Sequence, residues 1–322
     1  MTRYVARRLI QAIPLLIAIS IIVFGIVELA PGDAAQMYIN PDKGANPAYI
    51  AQVRDSLGLN RPVYVRYVAW LVKTLQGDFG YSFRTRRPVS LEIGDRLPNT
   101  LLLGGVSLLM SLIIAVPIGI VSALKRYSLL DYALSTVALV GISVPVFWVA
   151  LLLLQVFSIR LNWLPAVGMH SVREQYKGWA AVADVIRHMI LPATVLSLAQ
   201  TASWSRYQRS ALLEVLGQDY IRTARAKGLR ETHVISLHAL RNALIPTVTL
   251  IGLSVPSIVT GAFITETIFG WPGMGRLGVD SVNGRDYPII MAVTMLSALL
   301  IVAGNLLADI AYAWVDPRIR YD

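Results

Sequence analysis

Six stretches of this sequence carry no Asp, Glu, Lys or Arg and are rich in Leu, Ile, Val and Ala. A helix needs about 20 apolar residues to cross about 30 Å of hydrocarbon, and four of the stretches contain 22 to 28 residues. The six runs are Leu9–Val27, Thr100–Leu124, Tyr132–Ile159, Met189–Ser205, Asn242–Thr265 and Tyr287–Ala308. The pattern predicts an all-α integral membrane protein with six transmembrane helices.

The composition agrees with this prediction. The chain is 55% hydrophobic and only 15% charged, whereas soluble domains are about a quarter charged. Its net charge of +10 is the Lys and Arg excess typical of cytoplasmic loops, and no soluble basic domain points to nucleic acid. The chain lacks cysteine, which excludes disulfides and Cys-ligated metals, and its four histidines lack metal-ligand spacing.

Charge in the loops predicts the orientation of the spans. With the amino terminus inside, the inner segments hold 14 Lys and Arg, against 6 in the two short outer loops. The amino terminus, residues 206–241 and the tail are then cytoplasmic, and the long loop 30–98 is extracytoplasmic. Within that loop, Val63–Leu75 has the apolar periodicity of a helix, but Arg66 and Lys73 make it too charged to cross. We expect it to lie on the membrane surface or to pack against the spans.

No catalytic constellation is present, so the chain is not predicted to be an enzyme. The glycines of GWPGMG, residues 270–275, lack the Lys-Ser/Thr of a phosphate loop and predict a turn instead. Charged side chains at membrane depth handle the coupling ion in most secondary carriers. Here only Glu28, near the end of a span, and Glu266, just beyond another, come close, and we expect both at the membrane interface. The energy source for any transport is therefore expected on another polypeptide.

The basic segment 206–241 lies between two predicted spans. Gln218–Lys227 reads as a short helix with Tyr220, Ile221 and Ala224 on one face, and Gly228 supplies its end because glycine adopts a positive φ without strain. A second short helix, Glu231–Leu240, leads into the next span. The pattern fits a docking element for a soluble partner, and it fits a solvated linker equally well.

Several motifs resemble a known family. DYIRTARAKGL followed by HALRNALIP is similar to the cytoplasmic signature of binding-protein-dependent ABC importer permeases, Glu-Ala-Ala, three residues, Gly, nine residues and Ile-x-Leu-Pro. Ala224, Gly228 and Leu240 keep the family residue at this spacing, whereas Arg222, Thr223, His238 and Arg241 match the variant of di- and oligopeptide permeases. YVARRLIQAIPLLIAIS with LAPGD, GDFGYSF, ETIFGWPGMGRL and DPRIRYD resemble the B-type subunit of that subfamily.

The resemblance implies the type I ABC importer permease fold, with residues 1–96 holding the first span and the extracytoplasmic region, 97–312 the permease domain, and 313–322 the cytoplasmic tail. It also implies partners: a homologous second permease subunit, two ABC ATPase subunits and an extracytoplasmic peptide-binding protein, in a prokaryotic cell membrane. ATP and Mg would bind the ATPases, so no cofactor is expected in this chain. The implied ATPase-coupling residues are Asp219, Tyr220, Ile221, Arg222, Thr223, Ala224, Arg225, Ala226, Lys227, Gly228, His238, Leu240 and Arg241.

The cargo and its path are less constrained. Peptides are the favoured cargo, but importers of nickel, glutathione and glycoconjugates share these motifs, and an ATP-independent carrier or channel, or a scaffold or receptor, is the alternative of another class. Polar residues that interrupt apolar spans are the candidates for a translocation path, although membrane Ser and Thr often bond their own helix. These candidates are Gln200, Ser203, Ser254, Ser257 and Thr260.

Overall fold

Helices make up most of the computed structural model, which describes residues 2–30, 51, 54–55, 58–174, 176–260 and 263–315. The helix Val146–Leu153 is continued by a π-helical segment, Leu154–Arg160, and the helix Glu231–His233 by another, Val234–Ala239. Among the described residues the extended pairing is limited to an isolated bridge between Tyr81 and Pro88. The helices are α1 Thr2–Leu29, α2 Val63–Leu75, α3 Val89–Leu124, α4 Leu129–Ser143, α5 Val146–Leu153, α6 Trp179–Leu216, α7 Asp219–Ala226, α8 Glu231–His233, α9 Leu240–Ala243, α10 Ile245–Thr260, α11 Phe263–Ile268, α12 Met274–Asn283 and α13 Tyr287–Val315.

Helices account for most of the described residues of the six predicted spans. Five helical stretches of the described chain are long and apolar enough to cross a membrane, and a sixth qualifies if a bent pair counts as one span. The bent pair consists of Leu129–Ser143 and Val146–Arg160. The five are Arg7–Leu29, Val89–Leu124, Trp179–Leu216, Glu231–Ser254 and Tyr287–Leu306.

The third predicted span differs most from expectation, because its two halves meet at 103° instead of forming one rod. Val144 is extended, with φ −84° and ψ 131°, and Pro145 follows it as the residue before α5. A proline has no backbone N–H and disfavours the helical conformation of the preceding residue, which explains why α4 ends here.

Helix α6 is longer than the apolar run that predicted it. Met189–Ser205 is the middle of a 38-residue helix, about 57 Å long at 1.5 Å per residue. This length exceeds the hydrocarbon thickness, so α6 extends into segments that the sequence assigned to loops. It is also the central helix of its part of the fold, since Leu212, Met189 and Leu191 each belong to a different buried apolar cluster.

The described chain divides into two compact units, which we treat separately. One comprises residues 1–97 and 277–302, and the other comprises 98–276 and 303–322.

In the first unit, α2 packs on the end of α1. The predicted helix Val63–Leu75 is confirmed residue for residue, and it packs against a span, which is one of the two placements expected for it. The Ser20 hydroxyl lies 2.8 Å from the Tyr67 hydroxyl, and the Phe24 ring meets the rings of Tyr67 and Trp70 at 5.6 and 5.7 Å. Glu28, which we expected at the interface, is partly exposed and forms an ion pair with Arg66 of α2.

In the second unit, the GWPGMG segment forms the predicted turn, closed around a buried acid. Glu266 is 1% exposed, so its carboxylate is enclosed by the protein. Its oxygens accept hydrogen bonds from the Thr100 hydroxyl at 2.9 Å and from the backbone N–H of Arg276 at 3.0 Å, which compensates for burial. A Cβ on Gly273 would lie 2.4 Å from the Glu266 carboxyl carbon. The glycine is therefore required for close approach.

Candidate coupling site

Helix α7 presents one buried face and one exposed face. Ile221 is fully buried and Ala224 is 7% exposed, whereas Arg222, Thr223 and Arg225 are exposed. An eight-residue helix in isolation is marginal, so burial of Ile221 and Ala224 is what fixes α7 in place. The predicted helix and the division of its faces are confirmed, except that Tyr220 is 42% exposed.

The buried face belongs to an apolar cluster that also includes the ends of two long helices. We call this apolar cluster the coupling core; it draws Ala123 from the last turn of α3 and Leu212 from α6. Partly buried Leu240 also packs against it. The buried members are Ala123, Leu212, Ile221, Ala224, Val234, Ala239 and Ala243. The cluster therefore joins α7 with the ends of α3 and α6 in one buried apolar group.

Gly228 ends α7 in the predicted left-handed conformation, with φ +76°. Its N–H donates to the Arg225 carbonyl at 2.9 Å, and a Cβ added here would meet nothing within 4 Å. The requirement for glycine is thus conformational and not steric. Across this turn the Arg225 guanidinium donates to both carboxylate oxygens of Glu231, at 3.1 and 2.6 Å. These hydrogen bonds raise the pKa of Arg225 above its ordinary value.

The segment that follows ties back to α7. The Asn242 amide donates to the Tyr220 hydroxyl at 2.9 Å and to the His238 carbonyl at 3.2 Å, which gives the exposed tyrosine a fixed position. The second short helix, predicted as Glu231–Leu240, is instead part of one helical stretch, Glu231–Ser254, which contains a π segment. Periodicity alone does not reveal this join, because Pro246 falls in the first turn of α10, where proline is tolerated.

The outward surface of this region is predominantly cationic. Arg222 pairs with Asp219 at 3.3 Å, one helical turn away, and the acid stands at the amino end of α7, where it also favours the helix dipole. Further exposed residues of this segment are also basic. The exposed basic residues are Arg222, Arg225, Lys227, Arg230 and Arg241. We call this exposed face the basic face of the coupling site.

A buried ion pair close to the coupling site escaped the sequence analysis. Asp131, 2% exposed at the start of α4, accepts two hydrogen bonds of 2.8 Å from the Arg209 guanidinium of α6. The Tyr127 N–H, at 3.0 Å, and the Ser122 hydroxyl also donate to the carboxylate. In sequence, Asp131 and Arg209 are 78 residues apart and look like ordinary charges at the ends of spans. No local signal joins them.

A second polar contact joins α6 to α10, one helical turn before the coupling-core residue Leu212. Gln208 of α6 is fully buried and accepts a hydrogen bond of 2.6 Å from the Thr247 hydroxyl of α10. A Cβ on Gly119 of α3 would lie 2.7 Å from the Ser205 carbonyl oxygen, so α3 and α6 touch at backbone distance. Thus α3, α6 and α10 meet at one level of the unit. The sequence signal was limited to polar residues inside apolar runs, which does not specify partners.

The tentative path residues have ordinary surroundings in the structure. The amide oxygen of half-buried Gln200 lies 3.3 Å from the Ser111 hydroxyl. Ser203 is half-buried, and Ser254 donates to its own helix at the Leu250 carbonyl, 2.8 Å away. The side chains of Ser257 and Thr260 lie outside the described residues. The translocation path therefore remains a prediction.

Two family models match most of the chain. Residues 115–321 match the family described as binding-protein-dependent transport system inner membrane component. Residues 1–104 match the corresponding amino-terminal family of such membrane components.

Individual relatives agree in length. The sequence is 47% identical over 322 residues to the oligopeptide transport system permease protein AppB of Bacillus subtilis, covering 100% of both chains. It is 42% identical over 321 residues to the glutathione transport system permease protein GsiC of Salmonella typhimurium, again covering 100% of both chains. A structure of the inward-facing MetNI methionine ABC transporter matches with a TM-score of 0.57 at 16% identity, covering 70% of this chain and 97% of that chain. The last likeness supports the fold alone.

Proposed function

The chain belongs to the family of binding-protein-dependent transport system inner membrane components, and we propose that it is the permease subunit of an ATP-driven importer of di- and oligopeptides. In this proposal two ABC ATPases bind below a pair of homologous permeases. An extracytoplasmic binding protein delivers the peptide. ATP and Mg bind the ATPases, so this chain contributes binding and movement and no catalytic group.

The coupling core is the observation that carries the mechanism. Ile221 and Ala224 are buried in the same apolar cluster as Ala123 of α3 and Leu212 of α6, and the opposite face of α7 remains exposed for a partner. A push on that exposed face reaches the long helices through packed side chains, which deform little. Closure of the ATPases around ATP would thereby change the inward or outward opening of the permease.

The basic face indicates the chemistry of the proposed docking surface. A groove on the ATPase that receives α7 would need acidic or polar side chains opposite Arg222, Lys227 and Arg241. This face has to be cytoplasmic, which agrees with the orientation predicted from the short loops.

Peptide is the proposed cargo because AppB is described as an oligopeptide permease. Glutathione is the second candidate, since the GsiC relative is described as a glutathione permease and is nearly as similar. Nickel or glycoconjugate import rests on motif resemblance alone. Reconstitution with the cognate ATPases and binding protein separates these cargoes. Stimulation of ATP hydrolysis by peptides, and not by glutathione or nickel chelates, is the expected result. Transport by the chain reconstituted alone would refute the ATP-driven mechanism.

A pair of alanines on α7 tests the coupling role. Ala224→Leu inserts three carbons into the coupling core and is expected to cost about 1–3 kcal/mol locally, which displaces α7. Ala226→Leu, on the exposed side of the same helix, is the matched control. In proteoliposomes, we expect the first variant to assemble but to hydrolyse ATP without peptide uptake. Equal uptake by both variants would remove α7 from the coupling mechanism.

A further inference from the structure

The first unit contains a cavity that the transport mechanism does not use. Its volume is about 590 Å³, and it opens between the carboxyl end of α1, one face of α2 and the start of α13. Aromatic rings, among them Phe24, Trp70 and Tyr287, form much of its wall. The cavity is therefore at the end of the first membrane span, where hydrocarbon gives way to lipid headgroups.

Basic side chains give the cavity its charge. Four cations and two acids line it, and one acid, Glu28, is already paired with Arg66. The Arg66 Nε is nevertheless buried without a hydrogen-bond partner. Among the described residues, Arg61 and Lys73 form no ion pair through their side chains. Donors without acceptors in a part-enclosed, aromatic cavity fit an anionic ligand.

The outer surface of α2 shows what kind of anion is suitable. Tyr64, Val68, Val72 and Leu75 recur at helical spacing and are exposed, Leu75 to 78%. They form an apolar stripe beside the face that lines the cavity with Val65, Ala69 and Lys73. On α1, Ile26 and Leu29 are exposed as well. An apolar surface next to a cationic, aromatic cavity is the arrangement that acyl chains and a phosphate headgroup require together.

We propose that this cavity binds the headgroup of an anionic phospholipid, with the phosphate at Arg61, Arg66 and Lys73 and the acyl chains along the exposed apolar faces of α1 and α2. The phosphate would lie against the Arg61 and Lys73 side chains, which line the cavity, and the ring of Trp70 borders the glycerol region. Bound lipid would fix α2 against the first span. The proposal is independent of the cargo and of the coupling site.

Lipid exchange on the purified transporter tests the proposal. Phosphatidylglycerol is titrated into the full assembly in phosphatidylcholine nanodiscs, and tightly bound lipid is counted by native mass spectrometry. The double variant Arg61→Gln, Lys73→Gln is expected to weaken phosphatidylglycerol binding about thirtyfold, the effect of removing two cations at a lipid surface. The control Arg173→Gln, Lys177→Gln removes two exposed cations from the 160–188 loop and should change binding less than twofold.

Additional measurements distinguish the possible sources of the anion. Lys73→Arg keeps the charge and should keep the lipid, which distinguishes loss of the site from misfolding. An excess of inorganic phosphate should leave the lipid bound, because phosphate lacks acyl chains. Displacement by phosphate alone, or by an acidic cargo peptide, would overturn the assignment in favour of a free anion or of the cargo. Equal binding by the Gln double variant and the native chain would also overturn it.

Discussion

At the scale of single residues, three positions of this protein require a small residue, each for a different physical reason. Gly273 is required because Glu266 occupies the space beside it, whereas Gly228 stands in open space and is required for its φ of +76°. Ala224 is required because the coupling core leaves little room around it. The sequence shows a small residue in each of the three cases. Their roles differ because their neighbours and their backbone conformations differ.

The open surroundings of Gly228 lead to a graded prediction. Gly228→Asn should retain most coupling, because asparagine adopts the left-handed conformation with little strain. Gly228→Ala should cost about 1–2 kcal/mol in the turn, and Gly228→Val more, since a β-branched residue rarely takes a positive φ. Co-purification of the ATPase subunits is the measurement. Unchanged co-purification and uptake with valine would show that the turn geometry is irrelevant.

At the scale of elements, a buried ion pair joins α4 to α6 close to the coupling core. Asp131 is held by the Arg209 guanidinium and by the Tyr127 N–H, and Arg209 lies one helical turn before the Leu212 of the coupling core. This geometry ties the short turn after α3 to the helix that leads into the coupling site. Movement of α6 therefore carries the amino end of α4 with it.

Removing one partner of this ion pair should lower the free energy of unfolding more than replacing both partners with apolar residues. Arg209→Ala leaves the Asp131 carboxylate buried and unpaired, and we expect a loss of about 3–5 kcal/mol in the free energy of unfolding. The double variant Asp131→Leu, Arg209→Met should recover much of that stability. Arg206→Ala, exposed on the same helix, is the control and should stay near the native value. Thermal unfolding in detergent gives the comparison. Equal losses for Arg206→Ala and Arg209→Ala would contradict a structural role for the pair.

At the scale of the whole molecule, the proposed mechanism depends on which side of the membrane each loop faces. The loop containing Val172 is predicted to be extracytoplasmic, and the basic face with Lys227 is predicted to be cytoplasmic. The absence of native cysteine makes the test direct. Val172 is 98% exposed and Lys227 is exposed, so both positions accept a reporter cysteine.

Labelling with a membrane-impermeant maleimide should therefore separate the two loops. Val172→Cys is expected to react in intact cells, and Lys227→Cys only after the membrane is permeabilised. Both reactions should be complete in detergent, which controls for buried thiols. Reaction of Lys227→Cys in intact cells would invert the orientation and would place α7 out of reach of a cytoplasmic ATPase.

The sequence by itself determined where apolar helices occur, the bounds of α2 and the left-handed Gly228. Each follows from a local property: runs of uncharged residues, helical periodicity, and the unique freedom of glycine. The motif spacing from Ala224 to Leu240 also identified the segment now seen in the coupling core.

The tertiary structure alone decided which distant groups meet. Asp131 with Arg209, Gln208 with Thr247, and Glu266 with Thr100 are separated by 39 to 166 residues, and none carries a local signature. The extent of α6 and the 103° bend at Pro145 also depended on packing, because a proline permits a break without setting its angle. Polar pairing inside an apolar protein is a property of the assembled helices, and single runs of sequence do not contain it.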